Sequence, residues 1–134
     1  MKIAAFNVKR LGRTKVNKKD VREIIIKIVS QYSVVLLEEV MDVSGVAMET
    51  FLTHLNDYGD NKSNPYDMLC SESLGPNRYK EKFVYFYREK EVQILEACQY
   101  VDNDEHVIHR QPLVVLLKCP NTGMCVCVFF RLSL

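Results

Sequence analysis

Two apolar, strand-like segments of the sequence end in polar side chains. KIAAFNV is apolar up to Asn7, and VVLLEEV carries Glu38 and Glu39 directly after four apolar residues. Because side chains alternate between the two faces of a strand, the two glutamates are expected to point in opposite directions. A carboxylate that faces away from water is costly unless it meets a cation. The pair is therefore a candidate for binding a hard cation, although a solvated strand end explains one glutamate equally well. Asn7 is suited either to orienting a ligand or to a turn.

Two further clusters combine charged and aromatic groups. The segment SLGPNRYKEKFVYFYR places Tyr79 and Glu81 between a turn and an aromatic strand, with a lysine after each. This pattern fits a binding surface, and it also fits the solvated shoulder of a hairpin. In VIHRQP, the guanidinium of Arg110 is able to hold a phosphate through two hydrogen bonds, whereas His109 has no obvious partner.

Length and composition are those of one globular domain or part of one. The chain has 134 residues, of which 48% are hydrophobic and 26% charged, and its net charge is +1. Such a balance gives no global attraction to nucleic acid, so any electrostatic binding surface must be local. No segment has the length of a membrane span, and MKIAAFNVKR is too soon interrupted by charge for a signal peptide. We therefore expect an intracellular protein without membrane association, or a secreted one if a leader was removed.

The five cysteines are odd in number and none forms a CxxC pair. Most lie in apolar runs such as MCVCVFF, where a thiol behaves as a small hydrophobic side chain. We expect them to be core residues and not metal ligands.

The pattern of apolar residues predicts alternating strands and helices, followed by strands alone. NKKDVREIIIKIVSQY has helical spacing, with Asn17 as its N-cap, and SGVAMETFLTHLND is a second helix. The inward residues of the first helix are expected to be Val21, Ile24, Ile25, Ile28 and Tyr32. LGRTKVNK is expected to be a loop, and five strand-like segments follow YGDNKSNP. This order predicts a layered α/β sandwich in which helices cover a sheet. The final segment, CVCVFFRLSL, ends without a turn or polar tail, which indicates a truncated domain.

In this succession, KIAAFNV, VVLLEEV, SESLGPNRYKEKFVYFYR and HRQPLVV closely resemble the deoxyribonuclease I family, particularly its DNase I-like paralogues. That family belongs to a larger group of metal-dependent endonucleases, exonucleases and phosphatases. The resemblance runs from Lys2 to about Phe129, and its most specific element is LG-N-YKE. It implies a four-layered α/β sandwich, of which residues 1–134 would form roughly the N-terminal half.

The resemblance also implies roles for individual residues. Glu39 would bind a divalent ion, with Asn7 beside it near the scissile phosphate. Glu81 would be a catalytic residue that supports a histidine, and Glu38 would be structural. Such a site hydrolyses phosphodiester bonds with Mg²⁺, and Ca²⁺ supports structure or activity.

Three residues match positions that contact DNA in the family. Tyr79 and Arg110 would touch the DNA directly, and Lys9 would lie near its backbone. Contacts to phosphates position a duplex without reading its sequence, so the implied partner is double-stranded DNA cut with little specificity.

The chain also departs from the family pattern. Family members are about twice as long, and both catalytic histidines would lie in the part that is absent here. Met41 stands where an arginine is frequent, and Gln111 replaces a carboxylate. We therefore expect impaired or no hydrolysis. Two alternatives remain: a non-catalytic module that binds or interferes through a sheet edge, and a phosphatase or abasic-site nuclease, which would share Asn7 and Glu39 but not usually YKE.

Overall fold

The elements follow one another in the predicted order. The computed structural model describes residues 1–75, 79–100 and 111–128. Its elements are β1 (Ile3–Leu11), α1 (Arg13–Asn17), α2 (Lys19–Val29), β2 (Val34–Val40), α3 (Val46–Asp57), a 3₁₀ turn (Gly59–Lys62), β3 (Tyr66–Cys70), β4 (Lys82–Arg88), β5 (Gln93–Gln99), β6 (Leu113–Lys118) and β7 (Cys125–Val128).

The first sheet has the strand order β1-β2-β4-β3. Strands β1 and β2 are parallel because the chain returns through α1 and α2, whereas the other neighbours are antiparallel. The register pairs Ile3 with Val34 and Asn7 with Glu38. The carboxyl ends of β1 and β2, which carry the candidate site residues, therefore meet at one edge of the sheet.

The helices pack on one face of this sheet and form the first core cluster. The cluster includes Ile25, Ile26 and Val29 of α2 and Val35 and Leu37 of β2. Its members from α3 are Ala47, Met48, Phe51 and Leu55. Burying one such large side chain contributes about 1.5–3 kcal/mol, so this face anchors the parallel strands. The longest helix in the described residues, α3, has 12 residues and falls short of a membrane span.

The second sheet, ordered β5-β6-β7, packs on the opposite face of the first. The second core cluster joins side chains of β2 and β4 to those of β6 and β7, including Leu36, Tyr85, Val115 and Val128. Between the sheets, the Tyr85 hydroxyl donates a hydrogen bond of 3.0 Å to the carbonyl of Leu113. The described residues therefore form three layers, helices over one sheet over another, which confirms the α/β sandwich class.

Several local expectations were wrong. The basic segment predicted to be a loop contains α1, and Asn17 ends that helix instead of capping α2. Lys18 precedes α2 and gives it no side-chain cap. Ile24 is 59% exposed, whereas its neighbours Ile25 and Ile26 are buried. Both lie one turn before Val29, so that the buried stripe passes over them and leaves Ile24 outside.

The expectation that the cysteines are core residues holds for Cys119 alone, because the other four are exposed. Cys98 pairs with Val114 and Cys127 with Leu116, and both cysteines lie on the face of the second sheet that points away from the first. In the described part of the chain no helix belongs to the core cluster at this sheet, which leaves these thiols in contact with solvent.

Candidate functional site

Asn7 and Glu39 meet across the ends of β1 and β2. The side-chain amide of Asn7 donates a hydrogen bond of 2.8 Å to Oε1 of Glu39. The amide oxygen of Asn7 accepts a bond of 2.8 Å from the backbone N–H of Lys9. The second bond fixes which way the amide faces, so Asn7 presents its NH₂ group to the carboxylate. The structure thus brings three of the predicted site residues together, and Asn7 orients Glu39.

The backbone at this edge is in a conformation that residues with side chains rarely adopt. Among the described residues, the non-glycine residues with positive φ are Lys9 (46°), Arg10 (62°) and Glu39 (58°). Each such conformation costs about 1–3 kcal/mol, and this kind of strain is typical of functional sites. Both strand ends also shift register, as in a β-bulge.

The bulge changes how the two glutamates are arranged. A regular strand would place Leu37 and Glu39 on one face, but the core cluster under the helices contains Leu37 and Val40 instead. The regular alternation of side chains therefore ends at Glu38. The prediction that Glu38 and Glu39 point in opposite directions assumed that this alternation continues. The left-handed turn at Glu39 releases its side chain from the core and allows the contact with Asn7.

Glu38 and Glu39 concentrate negative charge at the edge of the sheet. Burial, and then the charge of Glu39, raise the pKa of Glu38 above its usual value. Glu38 in turn adds to the effect of burial in raising the pKa of Tyr85, which lies between the sheets. Within the ranges that the structure describes, no group of three or more histidine, cysteine or carboxylate side chains is arranged to hold a metal. Glu39 alone still suits Mg²⁺, which is commonly bound by one or two carboxylates together with water and substrate phosphate.

The loop before β4 positions Tyr79 and Glu81. Leu74 and Glu81 form a bridge of two backbone hydrogen bonds, each of 2.8 Å. Glu81 is 7% exposed, whereas Tyr79 is 62% exposed. Gly75 has φ +107°, and a Cβ atom there would lie 2.8 Å from the carbonyl oxygen of Tyr79. Only glycine fits this turn, which places the carboxylate inward and the ring outward.

Arg10 is a residue that the sequence reasoning missed. Its guanidinium carbon lies 5.8 Å from the centroid of the Tyr79 ring, a cation–π arrangement. The available signal was its place beside Lys9 in VKRLG. Lys9 is exposed, and its contact with DNA stays a prediction. Arg110 lies outside the described residues, so its role stays a prediction.

Gly12 allows the chains after β1 and β2 to approach closely. A Cβ atom on Gly12 would lie 2.7 Å from the carbonyl oxygen of Met41. The backbone N–H of Met41 donates a bond of 2.8 Å to the carbonyl of Leu11. Met41, noted above as a departure from the family, therefore has a backbone role in joining the two strand ends.

Asp42, three residues after Glu39, lies in the segment before α3, which begins at Val46. Its carboxylate accepts a hydrogen bond of 2.8 Å from the N–H of Met48 and one of 3.1 Å from the Ser44 hydroxyl. Asp42 is buried, and these bonds satisfy N–H and O–H groups at the start of α3. It is therefore a structural cap.

The described elements form a fold that is also found in solved structures. An endonuclease/exonuclease/phosphatase family protein from Bacteroides thetaiotaomicron has a similar structure, with a TM-score of 0.57 and 15% sequence identity. The match covers 96% of this chain and 48% of that protein. The chain thus has the fold of the endonuclease/exonuclease/phosphatase group, as far as the described residues extend.

Sequence similarity narrows the class to one family. Human deoxyribonuclease-1-like 1 is 37% identical over 120 residues, covering 90% of this chain and 39% of the relative. Deoxyribonuclease-1 of Bos taurus is 36% identical over 126 residues, covering 91% of this chain and 44% of the relative. No family model matches the chain. These similarities confirm the predicted relationship: the chain is a relative of the deoxyribonuclease I family over nine tenths of its length. It spans about two fifths of the length of these relatives.

Proposed function

We propose that residues 1–134 are part of a DNase I-like domain and provide the metal-binding and DNA-binding edge of an endodeoxyribonuclease site. The proposal rests above all on the Asn7–Glu39 hydrogen bond at the strained ends of two parallel strands. The names of the related deoxyribonucleases support DNA as the substrate. The substrate in this proposal is double-stranded DNA, bound through its backbone and cut with little sequence specificity.

Each residue in the proposed site has a separate task. Glu39 would hold Mg²⁺ through the carboxylate oxygen that Asn7 does not occupy. The bound ion would supply electrostatic stabilisation of the phosphoryl group. Asn7 keeps Glu39 in place, and it depends for this on the N–H of Lys9. The ammonium of Lys9 would contact the DNA backbone, and the ring of Tyr79 would touch the DNA directly. We assign no residue to Ca²⁺.

We further propose that this chain alone hydrolyses DNA weakly or not at all. Glu81 would support a histidine that activates water, as the family resemblance implies. His54 is the one histidine within the described ranges, and it is exposed on α3. In these ranges no histidine forms a metal-binding cluster with the two glutamates. Removing one member of a catalytic unit costs about as much activity as removing several.

Metal binding is the first prediction. Glu39→Gln keeps the shape of the side chain but removes the charge, so we expect the affinity for Mg²⁺ to fall at least tenfold. The measurement is a Mg²⁺ titration by calorimetry. Glu49→Gln, on the exposed side of α3, is the matched control and should bind as the unmodified chain does. Equal affinity in both variants would contradict the assignment of Glu39.

Hydrolysis is tested by nicking of supercoiled plasmid in Mg²⁺ and Ca²⁺, with EDTA as the blank. We expect little nicking from the folded chain. Nicking that EDTA, Glu39→Ala and Glu81→Ala all abolish would show that the chain carries a complete hydrolytic site. It would disprove the proposed impairment while supporting the metal site.

A non-catalytic binding module is the second candidate. It is favoured by the absence, within the described residues, of a histidine beside the glutamates. A folded chain that binds duplex DNA without nicking it would fit this candidate. A chain that releases phosphate from a monoester but leaves plasmid intact would instead favour a phosphatase.

A further inference from the structure

Arg10 and Tyr79 form an exposed pair at the edge of the candidate site. The guanidinium carbon lies 5.8 Å from the ring centroid, and the ring is 62% exposed. Neither of the two ion pairs in the described residues involves Arg10. Among the described residues the guanidinium of Arg10 therefore forms no ion pair, so its charge is available to a ligand, and it lies beside the ring.

The backbone holds Arg10 in this position. The preceding Lys9 is fixed on both sides, because its N–H donates to Asn7 and its carbonyl accepts from the ammonium of Lys15. The following Leu11 is fully buried and paired with β2. Arg10 lies between these two anchored residues with φ +62°. The backbone of Arg10 is therefore held by the fold, within strand β1.

The contact between Arg10 and Tyr79 stabilises the fold by less than the left-handed backbone beside it costs. A cation–π contact at an exposed site contributes little to stability. The left-handed backbone at Arg10 costs more than this contact returns, and Lys9 carries a similar cost. A fold that accepts this cost to hold a cation beside an exposed ring gains no net stability from it. Such strain is more consistent with a binding role.

We infer that Arg10 is a DNA-contacting residue that acts together with Tyr79 as one composite contact. The guanidinium holds a phosphate through two parallel hydrogen bonds, and the ring lies against the adjoining sugar and base edges. Arg10 also fixes the plane of the ring before DNA arrives, which lowers the cost of ordering it. This inference rests on the proposed DNA-binding function, and it adds a residue and a specific geometry to it.

The test is binding of a fluorescein-labelled duplex with phosphorothioate linkages, which resist cleavage, measured by anisotropy in Mg²⁺ at increasing NaCl. We expect Arg10→Gln to raise Kd about tenfold and to reduce the salt slope by about one. Lys62→Gln removes the same charge from the 3₁₀ turn, at the opposite end of the first sheet, and should change Kd less than twofold. Arg10→Lys should keep the salt slope but lose part of the affinity, because an ammonium lacks the planar fork.

Variants of Tyr79 test whether the two residues act together. Tyr79→Phe keeps the ring and should bind nearly as well as the unmodified chain. Tyr79→Ala should weaken binding, and adding it to Arg10→Gln should cost less than the two separate losses combined. Both side chains are exposed, so we expect all variants to fold, and circular dichroism checks this.

The outcomes separate this inference from the proposed function. If the unmodified chain binds DNA and Arg10→Gln behaves like Lys62→Gln, the role of Arg10 is disproved and the proposed function stands. Strictly additive losses would disprove the composite contact. If the folded, unmodified chain does not bind the duplex at all, both the proposed function and this inference fail.

Discussion

Two glutamates illustrate how the surroundings of a single residue set its charge. Burial and the neighbouring Glu39 raise the pKa of Glu38. For Glu91 burial is again the largest effect, but hydrogen bonds from Ser33 and Asn64 and the charge of Arg88 together outweigh it and lower the pKa. Glu38 is therefore ionised at a cost to folding, whereas the ionised form of Glu91 stabilises the folded state.

These shifts predict opposite effects of removing the charge. Because the folded-state pKa of Glu38 is raised, its penalty develops as pH rises above the ordinary value of 4.5 and is complete once the pH has passed the folded-state pKa. Glu38→Gln should thus increase the free energy of unfolding at about pH 7 and have little effect at about pH 4. Urea denaturation at both pH values is the measurement.

Glu91→Gln is the matched control for this prediction. Its lowered pKa provides stability above the ordinary value, and this stability is lost as pH falls through the folded-state pKa. This variant should be less stable than the unmodified chain near neutral pH, and the difference should fade in acid. Destabilisation by Glu38→Gln at neutral pH would contradict the assigned environment of Glu38.

Among the elements, the approach of the chains after β1 and β2 is the feature that holds the candidate site together. Gly12 has φ −138°, an extended conformation that any residue adopts, so the requirement for glycine comes only from the nearby carbonyl of Met41. A side chain there would push apart the two strand ends that carry Asn7 and Glu39.

Gly12→Ala should therefore affect both folding and metal binding. We expect a loss of about 1–3 kcal/mol in stability, as for other overpacked sites, together with weaker Mg²⁺ binding. The measurements are urea denaturation and a Mg²⁺ titration. Gly123→Ala is the control: its φ of +68° also disfavours alanine, but no atom lies within 4 Å of its Cβ position. It should lose stability without losing metal affinity, and equal affinities in the two variants would disprove the role of Gly12.

The pattern of apolar residues predicted α2, α3 and the strands, and each of the two helices buries a stripe of apolar residues. It missed α1, a five-residue helix with one buried side chain, Val16, which leaves no repeating pattern. Residue type singled out Asn7 and the pair of Glu38 and Glu39, and the family resemblance chose Glu39 from that pair as the metal ligand, which stays a prediction. The geometry of the site was not predicted, because positive φ at Lys9 and the contact of Arg10 with Tyr79 depend on tertiary packing and on a bulge that strand alternation does not signal.

At the scale of the whole molecule, apolar packing joins the two sheets across the described residues, and a buried hydrogen bond lies within it. The hydroxyl of Tyr85 crosses from β4 to the carbonyl of Leu113 in β6, and the tyrosine is 1% exposed. A polar group in this position is tolerated because its partner is supplied by the facing sheet.

Tyr85→Phe should destabilise the fold by about 1–3 kcal/mol, since it leaves the Leu113 carbonyl without this donor inside the interface. Thermal unfolding measures the change. Tyr87→Phe is the matched control, because its hydroxyl donates to Asp67 on the same sheet at a part-buried site where water can replace it. A Tyr85→Phe variant no less stable than Tyr87→Phe would show that the bridge between the sheets contributes little.

The left-handed conformations at Lys9, Arg10 and Glu39 lower the free energy of unfolding of the chain at the candidate site. Glycine at any of these positions would relieve backbone strain and remove a charged group that the proposed site uses. Selection for folding alone therefore favours losing these side chains, and selection for binding favours keeping them. This edge of the sheet is where a stability–activity trade-off acts on the protein, so attempts to stabilise it by engineering should leave these three residues unchanged.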